Sequence, residues 1–271
     1  MGSNQGPPSA SEIHRGLARA LGPHSLTRSD RESVIEFINH ELPVFYTPVQ
    51  TYVVLGSYHQ PYIRRLRAAA HELNKRPLSF ALVVGDTPDP SLSSVSPFRV
   101  KFHVLCTVAD WVVGVYEKDT KGESTELGKI AEDPYFEKSF VFPRDYHHPD
   151  TELTTKGEFI AAAIATYFDD DLDDAETRAE IESLLAEAED VGVDVTPREF
   201  VTAIQQREAD LDEVPIPTYS WPHLEDFKHF DLAGRCFTWH IEDELREQVA
   251  EVPGPDHPSW ETNLISGDQL Q

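Results

Sequence analysis

Apolar positions along the chain fall into two patterns, short unbroken runs and longer stretches where they recur at three- and four-residue spacing. Residues 52–55, 79–84, 111–116 and 139–142 are unbroken runs rich in β-branched and aromatic side chains, which predict strands buried on both faces. The first run ends at Gly56-Ser57 and the second at Gly85-Asp86. Between them, Ile63, Leu66, Ala70 and Leu73 share one helical stripe, and Arg64, Arg65 and Arg67 fall largely off it, predicting a helix over 62–73. Residues 98–108 predict a second crossover helix and 124–131 a third.

The flanks read differently. Residues 12–21 and 29–42 carry helical periodicity, the second opening on a capping box with Ser29 as N-cap and Glu32 three residues on. Pro43 and Pro48 end it. Past Arg144 the chain turns helical again over 157–167, 175–191, 197–208 and 241–249, with a Pro-containing link at 214–222 and a further stretch around 224–230. No internal repeat is present.

Strands alternating with helices of this length imply right-handed crossovers. The expected fold is α/β: a flavodoxin-like, doubly wound parallel sheet of four to five strands, with helical additions at both ends. The expected organisation is a disordered start and N-terminal helices over 1–48, a nucleotide-binding-like α/β core over 49–150, a helical extension over 151–252 and a loose tail over 253–271. In such sheets ligands bind beyond the carboxyl ends of the strands, where Gly56, Ser57, Tyr58, Gly85, Asp86 and the segment 117–126 would sit.

Charge narrows the function. Acidic residues outnumber basic ones 48 to 23, giving a formal net charge of −25. No basic stripe exists to replace the counterions of nucleic acid, so nucleic acid is excluded as a partner. The acid is spread along the chain, which reads as a salt-adapted surface, since at molar salt the screening length falls to about 3 Å and close carboxylates stop repelling; the alternative is an acidic mesophilic protein with solvated helix faces. A haloarchaeal-type cytoplasm is the expected setting. No apolar run approaches the ~20 residues that span a bilayer, so no membrane association is expected. Cys106 and Cys236 form no CxxC pair, and each reads as a small buried hydrophobe.

The segment Ala109-Asp110, the apolar run 111–116, the polar loop 118–122 and then Gly122-Glu123-Ser124-Thr125-Glu126-Leu127-Gly128 carries the most chemistry. It resembles the nucleoside 2-deoxyribosyltransferase superfamily and, more remotely, TIR-type nucleotide hydrolases. The match rests on Gly122, Glu126, Leu127 and Gly128. The resemblance implies that Glu126 is the nucleophile accepting a ribosyl or deoxyribosyl group, that Asp86 or Asp89 orients a sugar hydroxyl or base, and that the substrate is a nucleoside or nucleotide. It also leaves a homo-oligomer open, because sites in that superfamily are completed across subunits.

Each residue has a second, structural reading. Glu126 near a helix N-terminus also serves as an acid complementing the dipole. Gly128 gives room for close approach, or is a helix glycine tolerated at a cost of ~1 kcal/mol. Ser57 and Tyr58 could hold a phosphate or a base, while Asp86 and Asp89 also suit Asx-turns. Arg144 could pair with a phosphate, and Asp110 reads as structural. His147 and His148 are adjacent and point opposite ways on an extended segment, so no metal is expected there. No redox cofactor is expected either, since no G-x-G-x-x-G follows the first strand. The expected function is hydrolysis or transfer at an N-glycosidic bond; the alternative is a non-catalytic nucleotide-sensing or interaction module.

Overall fold

Residues 13, 17 and 21 and the stretches 26–42, 49–117, 121–146, 148, 150–169, 174–210 and 227–254 are described by the computed structural model of the chain. Four strands, β1 (Gln50–Gly56), β2 (Ser79–Val83), β3 (Trp111–Tyr116) and β4 (Ser139–Pro143), form a parallel sheet in the order β2-β1-β3-β4. Val54 pairs with Val83 on one side and Val113 on the other, and Val113 pairs with Phe140. Every residue of β1 and β4 is buried, as unbroken apolar runs require.

Successive side chains of a strand leave opposite faces, and here each face has its own cover. Val53, Leu55 and Val112 pack with α1 (Arg28–Glu41) and α3 (Pro97–Val108). Ile13, Leu17 and Leu21, one helical face at four-residue spacing, join that layer. Tyr52, Val54, Val113 and Val115 pack with α2 (Tyr62–Asn74) on the other side. The doubly wound arrangement expected from the pattern is present.

The capping box of α1 lies two residues earlier than the sequence suggests. Thr27 is the N-cap: its hydroxyl accepts from the Asp30 amide at 3.1 Å, and the Asp30 carboxylate accepts from the Thr27 amide at 3.1 Å. Asp30 wins because the Pro-rich loop after β2 supplies three more donors, the Ser93 amide at 2.9 Å, the Ser93 hydroxyl at 3.2 Å and the Ser94 hydroxyl. The hydroxyls of Ser94 and Thr27 hold the Asp30 carboxyl well below the usual range. Glu32 instead pairs with Arg28 in solvent.

After β3 comes α4 (Lys121–Ile130), and beyond β4 come α5 (Lys156–Asp169), α6 (Ala175–Asp190) and α7 (Pro197–Asp210). These last three form a separate apolar cluster around Ile160, Ile164, Ile181, Phe200 and Ile204. The chain then returns to the sheet. Past the short α8 (Lys228–Leu232), residues 235–239 run parallel to β4 through bridges Val141 to Cys236 and Arg144 to Trp239. Four backbone hydrogen bonds join the two segments, among them Val141 N–H to Arg235 O at 2.9 Å and Asp145 N–H to Trp239 O at 2.8 Å. The segment occupies the place of a fifth strand and gives the flavodoxin-like order 2-1-3-4-5.

Helix α9 (Glu242–Val249) completes the cover beside α2. Arg76 fixes its end, donating to the carbonyls of Val252 at 2.6 Å, Val249 at 3.4 Å and Ala250. Tyr52 donates its hydroxyl to Pro253 O at 2.7 Å. The expectation of one helical extension over 151–252 therefore divides: α5–α7 share an apolar cluster of their own, while 227–254 belong to the sheet layers. The expected loose tail lies, beyond residue 254, outside the described residues, as do the link at 214–222, the Pro43 to Pro48 segment and His147. Among the described residues no helix is long and apolar enough to cross a membrane.

Candidate functional site

In the order 2-1-3-4-5 the winding reverses between β1 and β3, and in sheets of this kind ligands bind beyond the carboxyl ends of the strands at that reversal. Gly56 ends β1 there with φ +144, a conformation open to glycine. A Cβ at that position would lie 2.2 Å from the Val115 carbonyl oxygen. The close approach of β1 to β3 therefore depends on Gly56.

Tyr58 follows. Its ring packs against Gly85, where a Cβ would meet Tyr58 Cδ1 at 2.6 Å, and meets Phe98 edge-on with centroids 5.8 Å apart. Held this way, the Tyr58 hydroxyl donates to Glu126 Oε1 at 3.0 Å. Glu126 is 5% exposed, and its second oxygen, Oε2, has no hydrogen-bond partner among the described residues. Burial pushes the Glu126 carboxyl up to about 8, although the Tyr58 hydroxyl and the Gly56 amide pull the other way. Burial and the neighbouring carboxyl likewise raise the Tyr58 phenol well above its ordinary value.

The helix dipole does not govern Glu126. Helix α4 starts at Lys121, earlier than expected, so Glu126 lies in the second turn, and the dipole fades within the first. Desolvation decides instead, and the side chain is a neutral acid at neutral pH. A neutral, positioned carboxylic acid donates a proton, and it regains its charge when a cation forms beside it.

A second polar cluster lies at the same end of the sheet. Glu117 follows β3, Arg144 follows β4, Arg65 comes from α2 and Glu158 from α5, all nearly inaccessible to solvent. Arg65 Nη1 donates to Glu117 Oε2 at 2.5 Å and Glu158 Oε1 at 2.9 Å. Arg144 Nη1 donates to the same oxygens at 3.3 Å and 2.6 Å, and Nη2 donates to Glu152 O. Trp239 lies against both guanidinium groups, 5.7 Å and 5.1 Å from its ring centroid. Burial raises the Glu117 carboxyl to about 7 against the pull of Arg65 and Arg144. Burial acts on Glu158 too, but Arg144, Arg65 and the Thr154 amide at 2.7 Å hold it down to about 2. The two guanidinium groups and the two carboxyl groups are engaged with one another, so the cluster fixes the rim.

The profile of one protein family matches residues 1–265. The chain belongs to DUF8170, a family of unknown function. No curated protein and no solved structure matches it.

The DUF8170 fold brings Gly56, Tyr58 and Glu126 together and leaves other expected site residues apart. Ser57 is buried beside them in the first strand-to-helix loop. Asp86 is on the surface, where the Arg67 guanidinium grips it at 3.0 Å and 2.6 Å and lowers its carboxyl. Asp89 pairs with Lys101 at 2.7 Å. Gly122 lies in the first turn of α4, and Gly128 is on its exposed side with open space around it. Arg144 is committed to the buried cluster. Asp110 is structural, its carboxylate accepting from the Thr51 amide and hydroxyl, both at 2.8 Å.

Arg65, Glu117 and Glu158 escaped sequence reasoning as a unit. One signal was present in the DUF8170 chain: the run Ala68-Ala69-Ala70, all buried, widens the packed face of α2 until it includes Arg65. Among the described residues, His148, Asp150 and His240 form a further group with metal-ligand composition.

Proposed function

We propose that this DUF8170 protein hydrolyses or transfers the N-glycosidic bond of a nucleoside or nucleotide, with Glu126 as the group that receives the sugar, in a salt-rich cytoplasm. One observation carries the reading: a buried carboxyl at the β1/β3 reversal has one oxygen held by Tyr58 and the other unpartnered. As the C1′–N bond breaks, its electron pair leaves with the base and positive charge grows on the sugar. A carboxyl that burial has pushed up to about 8 passes its proton to the departing base and is left as a carboxylate beside that charge, so its stabilising effect is greatest in the transition state. The carboxylate then bonds to C1′, and water or a second base breaks the glycosyl ester. Ordinary nucleosides, whose neutral leaving base takes up the proton that Glu126 gives, suit the site best, whereas the nicotinamide dinucleotides leave a neutral base without it and need Glu126 to ionise to solvent first.

The test is incubation in molar KCl with NAD and a panel of nucleosides, products being resolved by chromatography. Product that persists in Glu126→Gln would remove Glu126 from the reaction. The burial of Glu126 beneath Tyr58 also favours a second reading, a nucleotide-sensing module whose rim opens on binding. A ligand-dependent rise in Tm without turnover supports that alternative. Dialysis to low salt tests the salt-rich setting, and cooperative folding retained there argues against it.

A further inference from the structure

We propose that His148, Asp150 and His240 bind one divalent transition-metal ion of the zinc type, at the end of the sheet where residues 235–239 meet β4. One nitrogen of each imidazole and one Asp150 oxygen lie within 4.8 Å of one another. The Arg144 to Trp239 bridge sets this meeting, since His240 directly follows the bridged residue and His148 lies in the loop leaving β4. The grouping therefore follows from the sheet rather than from a chance surface approach.

Ring orientation supplies the second argument. His240 Nδ1 is 2.5 Å from Glu244 Oε2, and the same carboxylate accepts from the His240 amide at 2.9 Å. A carboxylate on Nδ1 places the proton there and leaves Nε2 as a lone-pair donor, the arrangement that orients histidines at metal centres. His148 is held more loosely, its Nδ1 accepting from the Asp150 amide at 3.2 Å. The two rings stack with centroids 3.8 Å apart and planes 23° apart, which keeps the two imidazoles side by side. Ligation turns the His148 ring about a broad, soft torsion and replaces one long hydrogen bond.

Two imidazoles and a carboxylate favour zinc, copper, nickel or iron over calcium or magnesium, which prefer all-oxygen shells. Three protein ligands leave a fourth tetrahedral position for water or a ligand atom. Asp150 is exposed and both histidines are half-buried, so the open position faces solvent.

The experiment titrates the full chain with Zn²⁺ and, separately, Co²⁺ in molar KCl containing excess Mg²⁺, which occupies loose carboxylate sites. The expected result is one tightly held ion per chain and the visible absorption of four-coordinate cobalt. Asp150→Asn and His240→Ala should each weaken binding at least ten-fold, and Glu244→Gln should weaken it by about 10–100-fold through ring orientation alone. Asp150→Asn removes no packed side chain and serves as the deciding variant where His240→Ala fails to fold. Failure of the unaltered protein to hold one zinc ion, or unchanged affinity in Asp150→Asn, overturns the proposal.

Discussion

Glu126→Gln isolates the effect of burial on the candidate acid. In the native chain the carboxyl titrates at about 8 against an ordinary 4.5. Below the ordinary value the group is protonated in both folded and unfolded chains, and it contributes no pH dependence. Between the two values the unfolded chain ionises while the folded chain keeps its proton, so stability falls as pH rises. Above about 8 both are ionised and the loss is complete. At about 1.4 kcal/mol per pH unit, the whole loss is roughly 5 kcal/mol, and the part lying between pH 6 and 9 is roughly 3 kcal/mol. Glutamine is nearly isosteric, accepts from Tyr58 and does not titrate. Urea unfolding in molar KCl, followed by far-ultraviolet circular dichroism at pH 6, 7, 8 and 9, should show the variant gaining on the native chain as pH rises. Between pH 6 and pH 9 the difference in stability should shift in the variant's favour by roughly 3 kcal/mol. Parallel pH profiles for the two proteins would refute desolvation as the source of the raised value.

Tyr58→Phe removes the donor that lowers the Glu126 carboxyl; a loss of about 1–2 kcal/mol and a shift of the pH transition to higher pH are expected in the same urea series. Arg144→Met leaves Glu158 and Glu117 buried with one cation fewer and should cost about 3–5 kcal/mol, with part recovered by adding Glu158→Gln. Thermal unfolding checks this, and a variant as stable as the parent contradicts the buried network. Gly56→Ala, with its Cβ 2.2 Å from the Val115 oxygen, should destabilise by about 3 kcal/mol. Gly128→Ala, on an open helix side, should stabilise by up to about 1 kcal/mol, and equal effects at the two glycines would count against the packing described at β1.

Strands were legible because both faces of the sheet are covered, which turns each strand into an unbroken apolar run; 111–116 coincides with β3 to the residue. Helix periodicity likewise placed α2 and α3 within a residue of their observed ends. The location of Glu126 at the rim was legible, but its ionisation was not. Local sequence suggests a helix dipole, whereas the outcome is set by burial and by Tyr58, which arrives from another strand's loop. Arg65 looked exposed because its charge outweighed its position beside three alanines. The return of 235–239 was obscured by brevity: Arg-Cys-Phe-Thr-Trp is too short and too mixed to read as a strand, and it pairs with a segment far away in the sequence. His148 and His240 meet only because of that pairing.

That late pairing also dictates an order of assembly. During synthesis β4, with Phe140, Val141 and Phe142, emerges well before the segment that seals its outer edge, and α5–α7 must emerge in between. Until residue 239 is available, the sheet ends in an apolar edge with unpaired amides, the kind that recruits a strand from another chain. A chain cut before residue 227 keeps every residue of the Glu126 rim yet is expected to aggregate, because the last stretch of the core is what isolates the sheet from its neighbours.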